Sequence, residues 1–267
     1  MNSQEQLSTG ALTSVLREIE VRARKAGDIL LSYRHDASLV KSYKADGSFA
    51  TQADLASEKY LIEALRPLVL GAGFYAEETG IQAGNEYQWV IDPLDGTTNF
   101  AHGLPHFCVS IALTYRNEPI LGVVYQPAMD QLFSAQKGQG AFLNGTRLSV
   151  SQETKLNQSM LVLCNEDLPG ILKGLEPYAL SERPHLRDYG AAALDSAYCA
   201  AGRFEVCLYQ MTKWWDIAAG SLLIKEAGGV FSNLQGGAIG PENSTFIGGT
   251  KPIYDQILPI VQKTAGV

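Results

Sequence analysis

The spacing of hydrophobic residues changes from a helical to a strand-like period along the chain. From Leu12 to Tyr33 apolar residues recur every three or four positions with Arg and Glu between them, which predicts an amphipathic helix over 12–34. A second helix is predicted from Thr51 to about Leu68, with Thr51 as the residue that caps its amino terminus. The chain is therefore expected to begin with two helices that each bury one face.

Residues 107–143 instead show the features of β-strands. Strands are predicted at 107–115, 120–125 and 131–135, separated by short polar turns. The dipeptide Asn144-Gly145 is typical of a tight hairpin turn. Because such short turns cannot reverse a chain between parallel neighbours, these strands are expected to pair antiparallel.

The second half of the chain mixes the two patterns. The predicted elements are a strand at 160–164, helices at 168–180 and 190–202, a strand at 204–208, a helix from near Asp216 to Gly229, strands at 230–232 and 245–247, and a helix at 252–262. This order predicts a layered α/β fold with mixed α and β layers. We expect one domain over 1–267, with halves at about 1–150 and 151–267.

Composition and charge exclude several classes of partner. The chain has 267 residues, of which 46% are hydrophobic, and a net charge of −7 without any basic run. Nucleic-acid binding is therefore not expected. No apolar run approaches the roughly 20 residues that cross a bilayer, so no membrane association is expected. Residues 1–15 lack the basic and apolar regions of a signal peptide, which favours the cytoplasm.

The cysteines and histidines show no recognisable metal or nucleophile motif. None of the cysteines forms a CxxC pair or a zinc-like cluster, so all four are predicted to be reduced and mostly buried: Cys108, Cys164, Cys199 and Cys207. The four histidines lack an evident partner in the sequence and are interpreted as structural: His35, His102, His106 and His185.

The most informative stretch runs from Trp89 to Phe100. An apolar strand is expected to end at Ile91, and two carboxylates, Asp92 and Asp95, follow around a proline. Gly-Thr-Thr-Asn comes directly afterwards. Carboxylate oxygens are ligands that Mg²⁺ prefers, whereas free backbone N–H groups and hydroxyls bind phosphate oxygens. This stretch therefore predicts a metal site beside a phosphate site, and the metal would supply the positive charge that an acidic protein lacks.

Four further segments carry candidate residues, and each also has a structural interpretation. Asp54 can serve as a favourable charge in the first turn of its helix, and Asp216 can cap the helix that follows two tryptophans. The glutamates Glu77 and Glu78 end a predicted strand, so at most one of them would face a given site. Small residues from Gly190 onward allow either close helix packing or close approach of a ligand.

Together these segments resemble the inositol monophosphatase family of Mg²⁺-dependent, lithium-sensitive phosphatases. The resemblance extends over essentially the whole chain and depends on Glu77-Glu78, Asp92-Pro-Leu-Asp95-Gly-Thr-Thr-Asn-Phe100, Gly190-Ala-Ala-Ala, and Trp215-Asp216-Ile-Ala-Ala-Gly with Glu226-Ala-Gly-Gly. It implies an αβαβα sandwich, as in fructose-1,6-bisphosphatase, and a homodimer. It also implies hydrolysis of a small-molecule phosphate ester.

The resemblance further implies a set of metal ligands. Glu77, Asp92 and the main-chain carbonyl of Leu94 would hold a first Mg²⁺. A second would be shared by Asp92, Asp95 and Asp216. A weaker third ion would be held through water by Asp54 and Glu77, which gives two to three ions in total.

The same resemblance implies roles in substrate binding and turnover. The catalytic residues would be Thr97, which orients the attacking water, together with Glu77 and Asp95. Phosphate would be bound by the N–H groups of Gly96 and Thr97 and by the start of the later helix, namely Gly190, Ala191 and Ala192. Glu78 would support the ligands from behind, and Lys44 would lie near the lip of the site.

One departure from the family pattern concerns the substrate. Inositol-specific members carry a glutamate seven residues before the Trp-Asp aspartate, whereas Tyr209 or Gln210 occupies that place here and Lys213 adds a positive charge. Inositol monophosphate or a similar polyol phosphate remains the expected substrate. The alternatives are a 3′(2′),5′-bisphosphate nucleotide, fructose bisphosphate or histidinol phosphate. A catalytically idle member with a regulatory binding role is the alternative outside enzymes.

Overall fold

The computed structural model of the protein describes residues 6–34, 41–43, 49–163, 173–176 and 179–265. The helices in these ranges are α1 (Thr9–Tyr33), α2 (Gln52–Leu65), α3 (Thr97–Ala101), α4 (Ala192–Ala200), α5 (Trp214–Glu226) and α6 (Lys251–Ala265). The first strands are β1 (Lys41–Tyr43), β2 (Phe49–Thr51), β3 (Gly73–Ala76), β4 (Gly80–Gln82), β5 (Tyr87–Asp95), β6 (Cys108–Tyr115), β7 (Glu118–Gln126) and β8 (Gln131–Gln136). The later strands are β9 (Gly140–Leu143), β10 (Thr146–Arg147), β11 (Met160–Leu163), β12 (His185–Arg187), β13 (Val206–Tyr209), β14 (Val230–Ser232) and β15 (Phe246–Gly249).

Two sheets form the framework of the molecule. The larger one has eight strands in the order β10-β9-β8-β7-β6-β5-β3-β4, and the smaller has five in the order β12-β11-β13-β15-β14. The consecutive strands from β6 to β9 pair antiparallel, which confirms the pairing predicted from the short turns. Strand β5 pairs antiparallel with β6 and parallel with β3. The Asn144-Gly145 turn joins β9 to β10 as a hairpin, with positive φ at both residues.

Alternate side chains of each strand reach opposite layers, and this alternation builds five layers. In β5, Trp89 and Ile91 pack with α1 and α2, whereas Val90 between them packs with α4 and α5. In β13, Cys207 also faces α4 and α5, and its neighbour Leu208 packs with α6. The layers therefore follow the order helix, sheet, helix, sheet, helix, which confirms the predicted αβαβα sandwich.

The first two helices begin with polar caps, of which the Thr51 cap of α2 was predicted, whereas α1 begins at Thr9, three residues before its predicted start. Ser8 accepts a hydrogen bond from the N–H of Ala11 at the start of α1. In α2 the Thr51 hydroxyl accepts from the N–H of Ala53, and the Asp54 carboxylate accepts from the N–H of Thr51 in return. This reciprocal capping fixes the orientation of the Asp54 side chain.

Three of the element boundaries that differ from the prediction affect the position of candidate site residues. Strand β5 does not end at Ile91 but continues to Asp95, with a bulge in its pairing with β6 where Pro93 has no N–H to donate. Helix α4 begins at Ala192 because Gly190, at φ +68°, is in the left-handed region. Helix α5 begins at Trp214, so Asp216 is its third residue and not its cap.

Parts of the sequence prediction lie outside the described residues. They are Lys44, Cys164, His35 and most of the helix expected at 168–180. Among the helices of the described ranges, none combines the length and the apolar character that crossing a membrane requires.

Candidate functional site

The bulged end of β5 fixes two buried carboxylates in different directions. Asp92 accepts a hydrogen bond from the N–H of Leu94 at 2.9 Å. Asp95 accepts from the N–H groups of Ala193 and Leu194, in the first turn of α4, at 2.9 and 3.1 Å. These backbone donors engage Oδ1 of Asp92 and Oδ2 of Asp95, and the Asp92 carboxylate also shares a side-chain hydrogen bond with Asp216.

A third carboxylate reaches this place from the second half of the chain. Asp216, in the first turn of α5, accepts a hydrogen bond through Oδ2 from the N–H of Lys213 at 2.6 Å. This bond keeps the side chain folded back over the helix start, where the unpaired N–H groups favour negative charge. The aspartate thus supports the helix start from the third position, not as the cap that the sequence suggested, and it also lies beside Asp92.

The electrostatics of the cluster show that its carboxylates crowd one another. Burial raises the pKa of Asp92 well above its usual value, and the charges of Glu77, Asp95 and Asp216 raise it further. Burial likewise raises the pKa of Asp95 to about 6. The pKa of Asp216 is raised to about 8 by burial and by repulsion from Asp95 and Glu77. A cation placed among these groups would relieve both the burial cost and the repulsion.

The donor chemistry of the cluster fits a hard divalent cation. Carboxylate and carbonyl oxygens are the ligands that Mg²⁺ and Ca²⁺ take, and both kinds are present at the end of β5. Across the described ranges, no three or more His, Cys, Asp and Glu side chains already have the spacing of a formed metal site. The three aspartates are instead turned toward backbone N–H groups, each through one oxygen.

Thr97 connects the end of β5 to the start of α2. Its hydroxyl lies 2.9 Å from the carbonyl oxygen of Leu94 and 3.2 Å from Oδ1 of Asp54. Asp54 is fully buried, and burial raises its pKa to about 6 against the opposing effect of its bonds with Thr51. The helix-start interpretation of Asp54 is therefore correct, and the same carboxylate also contacts a predicted site residue.

Glu58 is a residue of the site that the sequence interpretation missed. Its two carboxylate oxygens accept hydrogen bonds from the N–H groups of Glu78 and Thr79, both at 2.8 Å. The nearby Ser57 hydroxyl donates to the carbonyl of Pro93 at 3.0 Å. The available signal was an acidic residue one helical turn after Asp54, on a face that is otherwise apolar.

The turn held by Glu58 carries the two predicted glutamates. Strand β3 ends at Ala76, so Glu77 and Glu78 lie in the turn and not at the end of the strand as expected. The N–H of Glu77 donates to the carbonyl of Ile91 at 3.2 Å, which places it against β5. The turn is thus joined to β5 by a main-chain hydrogen bond and to α2 by the Glu58 carboxylate.

Gly96 allows the end of β5 to approach closely both the segment at His106 and the start of α4. It has φ +82°, and a Cβ atom there would lie 2.8 Å from the carbonyl oxygen of His106 and 3.1 Å from Cβ of Ala191. Only glycine combines this backbone conformation with such close neighbours. The structure therefore brings Gly96 next to Ala191, at the start of α4.

The segment 209–213, which departs from the family pattern, begins with a buried side chain and ends with an exposed one. Tyr209 is buried at the end of β13, and its hydroxyl donates to Oδ2 of Asp195. Gln210 is half-buried, and the side chain of Lys213 is exposed at the start of α5. Position 209 therefore directs its polar atom into the protein.

His106 has a partner that the sequence did not reveal. Its Nε2 lies 2.8 Å from Oδ1 of Asp195, which is 89 positions away in the chain. No local motif can indicate a pair of such separation.

The cysteines are as predicted, since Cys108, Cys199 and Cys207 are buried and free.

Comparisons with known proteins agree with this architecture. The model of the "Inositol monophosphatase family" matches residues 12–265. An inositol-1-monophosphatase of Mesorhizobium japonicum is 38% identical over 263 residues, covering 95% of this chain and 98% of its own. A protein of Escherichia coli named Nus factor SuhB is 40% identical over 233 residues, covering 82% of this chain and 85% of its own.

A solved structure has the same fold. The extragenic suppressor protein suhB from Bartonella henselae superposes with a TM-score of 0.88 at 33% sequence identity, covering 94% of this chain and 99% of that one. The family model and the relatives each span nearly all of the layers described above. The chain belongs to the inositol monophosphatase family.

Proposed function

We propose that this protein is a Mg²⁺-dependent phosphomonoesterase that hydrolyses inositol monophosphate or a similar small polyol phosphate. The observation that carries the proposal is the cluster at Asp92, whose pKa is raised by burial and by Glu77, Asp95 and Asp216. Four carboxylates from three separate segments would repel one another without a cation. The adjoining Gly96 and Thr97 offer N–H groups to a phosphate.

The proposed ligand sets follow the family resemblance and agree with the placement of the residues. Glu77, Asp92 and the Leu94 carbonyl would hold one Mg²⁺, and Asp92, Asp95 and Asp216 a second. Asp54 and Glu77 would help to hold a third through water. When bound, the ions supply charge stabilisation for the attacking and leaving oxygens of an in-line displacement and an acidified water.

The residues around the phosphate have separable roles in the proposed reaction. Thr97 orients the attacking water, because its hydroxyl is itself fixed by Leu94 and Asp54. Glu77 takes the proton that the water releases. The water oxygen forms a bond to phosphorus, the ester P–O bond breaks, and the leaving alkoxide gains a proton to become the alcohol. N–H groups of Gly96 and Thr97 and the segment Gly190–Ala192 hold the phosphate oxygens.

The direct test is Asp95→Asn, which removes the charge of a shared ligand without changing its shape. We expect most of the turnover to be lost while the circular dichroism spectrum is unchanged. Asp255→Asn, on the exposed face of α6, is the matched control and should be fully active. Near-normal hydrolysis by Asp95→Asn would exclude the assignment.

The identity of the alcohol that carries the phosphate is the part of the proposal most affected by segment 209–213. Lys213 is exposed next to Asp216, where it could bind a second anionic group of a nucleotide bisphosphate or a sugar bisphosphate. Histidinol phosphate is a further alternative. With Lys213→Ala we expect a larger loss for bisphosphates than for monophosphates. An equal effect on both classes would reject this role for Lys213.

A regulatory binding role is the second candidate, because relatives of this chain include a protein named Nus factor SuhB. The carboxylate cluster favours turnover. A panel of phosphate esters with Mg²⁺ distinguishes the two, since a protein with only a binding role would hydrolyse none of them.

We further propose a cytoplasmic homodimer that is inhibited by lithium, as the family resemblance implies. Sedimentation of the purified protein would give its oligomeric state. Adding Li⁺ to the same phosphate-ester panel should reduce the rate with every substrate that is hydrolysed.

A further inference from the structure

A chain of three polar side chains lies behind the cluster and takes no part in the proposed reaction. His106 comes from the segment between α3 and β6, Asp195 from α4, and Tyr209 from the end of β13. Nε2 of His106 lies 2.8 Å from Oδ1 of Asp195, and the Tyr209 hydroxyl donates to Oδ2 of the same carboxylate. The carboxylate of Asp195 therefore has a side-chain partner at each oxygen.

Asp195 itself is fully buried among apolar residues of α4. Burial raises its pKa, and the bonds with His106 and Tyr209 act in the opposite direction, toward the ionised form. A buried carboxylate that lost one of these partners would keep its desolvation cost without compensation. The three residues thus depend on one another for their positions.

The location of Asp195 connects this chain to the metal-site aspartate. Asp195 directly follows Ala193 and Leu194, whose N–H groups hold Oδ2 of Asp95. Whatever fixes the Asp195 side chain also fixes the first turn of α4, because the two N–H groups belong to the same turn. His106 holds this turn from the β5–β6 side, and Tyr209 holds it from the second sheet.

We propose that Tyr209 is a positioning residue, which acts through Asp195 and with His106 to hold the first turn of α4 against Asp95. This positioning role rests on the proposed function in one respect, which is that Asp95 is taken to be a metal ligand. The hydroxyl at position 209 is used inside the protein, and the ring stacks on Phe246.

The test compares Tyr209→Phe with Tyr198→Phe. Both variants remove one phenolic hydroxyl next to α4, but that of Tyr198 donates to Gln126 at 2.6 Å and not to Asp195. The stacking on Phe246 is retained in Tyr209→Phe. Backbone hydrogen exchange of Ala193 and Leu194, measured in metal-free protein, should become faster in Tyr209→Phe only.

The second measurement is Mg²⁺ binding by titration calorimetry, with steady-state kinetics on the same samples. Loss of a supporting partner behind a metal ligand typically costs about 10–100-fold in metal affinity or activity. We expect a loss of this size in Mg²⁺ affinity and kcat for Tyr209→Phe, with little change in KM. Tyr198→Phe should match the unmodified protein in all three quantities.

Two outcomes separate this inference from the proposed function. Unmodified protein that hydrolyses no ester, together with faster exchange in Tyr209→Phe, would reject the phosphatase proposal and leave the positioning role in place. Exchange and Mg²⁺ affinity that are the same in Tyr209→Phe and Tyr198→Phe would overturn the positioning role. If Tyr209→Phe does not fold, His106→Leu removes the other partner of Asp195, because leucine has no hydrogen-bond donor, and is judged by the same two measurements.

Discussion

The hydroxyl of Thr97 lies 3.2 Å from Oδ1 of Asp54, which is 43 positions earlier in the chain. The other carboxylate oxygen, Oδ2, accepts from the N–H of Thr51 at 2.8 Å and completes the cap of α2. The Asp54 side chain therefore both caps the amino terminus of α2 and fixes the Thr97 hydroxyl beside the carboxylate cluster. A change at this contact should affect turnover more than the fold.

Thr97→Val should separate these two effects, because valine has nearly the shape of threonine but lacks the hydroxyl. Positioned groups that assist proton transfer contribute about 10²–10⁴-fold to rate, so we expect kcat to fall by at least about 100-fold. The neighbouring Thr98→Val, at an exposed position, is the matched control and should remain active. Equal rates in the two variants would contradict the role given to Thr97.

Glu58→Gln should weaken metal binding although Glu58 is not a proposed ligand. Its carboxylate accepts two N–H groups of the turn that carries Glu77, and a glutamine amide can accept only through its oxygen. We expect about a 10–100-fold loss of Mg²⁺ affinity, measured by calorimetry.

Glu63→Gln provides the comparison for that experiment, since Glu63 lies on the same helix and is exposed. It makes the same chemical change without a contact to the turn. If Glu58→Gln binds Mg²⁺ as tightly as Glu63→Gln, the turn does not depend on Glu58.

The start of α2 and the Asn144-Gly145 hairpin were predictable because each depends on neighbouring residues. A Thr followed three positions later by Asp specifies a reciprocal cap whatever the rest of the chain does. The mixed α/β layering was also accessible from the order of helices and strands, whereas the αβαβα order of the layers came from the family resemblance. The end of β5 was placed too early because a proline usually ends a strand. Here a bulge accommodates Pro93 within β5.

The contacts behind the site were not accessible from the sequence, for a physical reason. Glu58 and Glu78 are 20 positions apart, and His106 and Asp195 are 89 apart, so only the packing of the layers makes them partners. Family resemblance identifies residues that face a ligand. It does not reveal that Tyr209 turns its hydroxyl away from the site toward Asp195.

Gly96→Ala should destabilise the protein more than Gly103→Ala. Both glycines have positive φ, at +82° and +75°, so both substitutions carry the cost of left-handed backbone, about 1–2 kcal/mol. A Cβ at Gly103 meets nothing within 4 Å, whereas at Gly96 it would lie 2.8 Å from the His106 carbonyl. The difference between the two therefore isolates the close approach.

Denaturant unfolding gives this difference directly, with Gly103→Ala as the reference for backbone strain. We also expect phosphate to inhibit Gly96→Ala less strongly than the unmodified protein, because the Gly96 N–H would be displaced. Equal free energies of unfolding for the two variants would show that the segment at His106 can move away without cost.

The metal-free protein should become less stable as pH rises from about 4 to 8. Burial raises the pKa of Asp54 and Asp95 to about 6 and that of Asp216 to about 8, each from 3.8 in the unfolded chain. The folded state therefore binds more protons than the unfolded state in this window. The stabilisation is complete below the unfolded pKa and is lost as pH passes the folded values.

Magnesium should reverse this trend, because it binds the deprotonated carboxylates and must displace their protons. Thermal unfolding with a chelator should give a lower Tm at pH 8 than at pH 5.5, and adding Mg²⁺ should raise the Tm more at pH 8. Asp95→Asn removes one of the titrating groups, so its Tm should change less with pH and with Mg²⁺. A chelated protein whose Tm rises steadily from pH 5.5 to pH 8 would mean that the carboxylates at Asp92 do not share one crowded site.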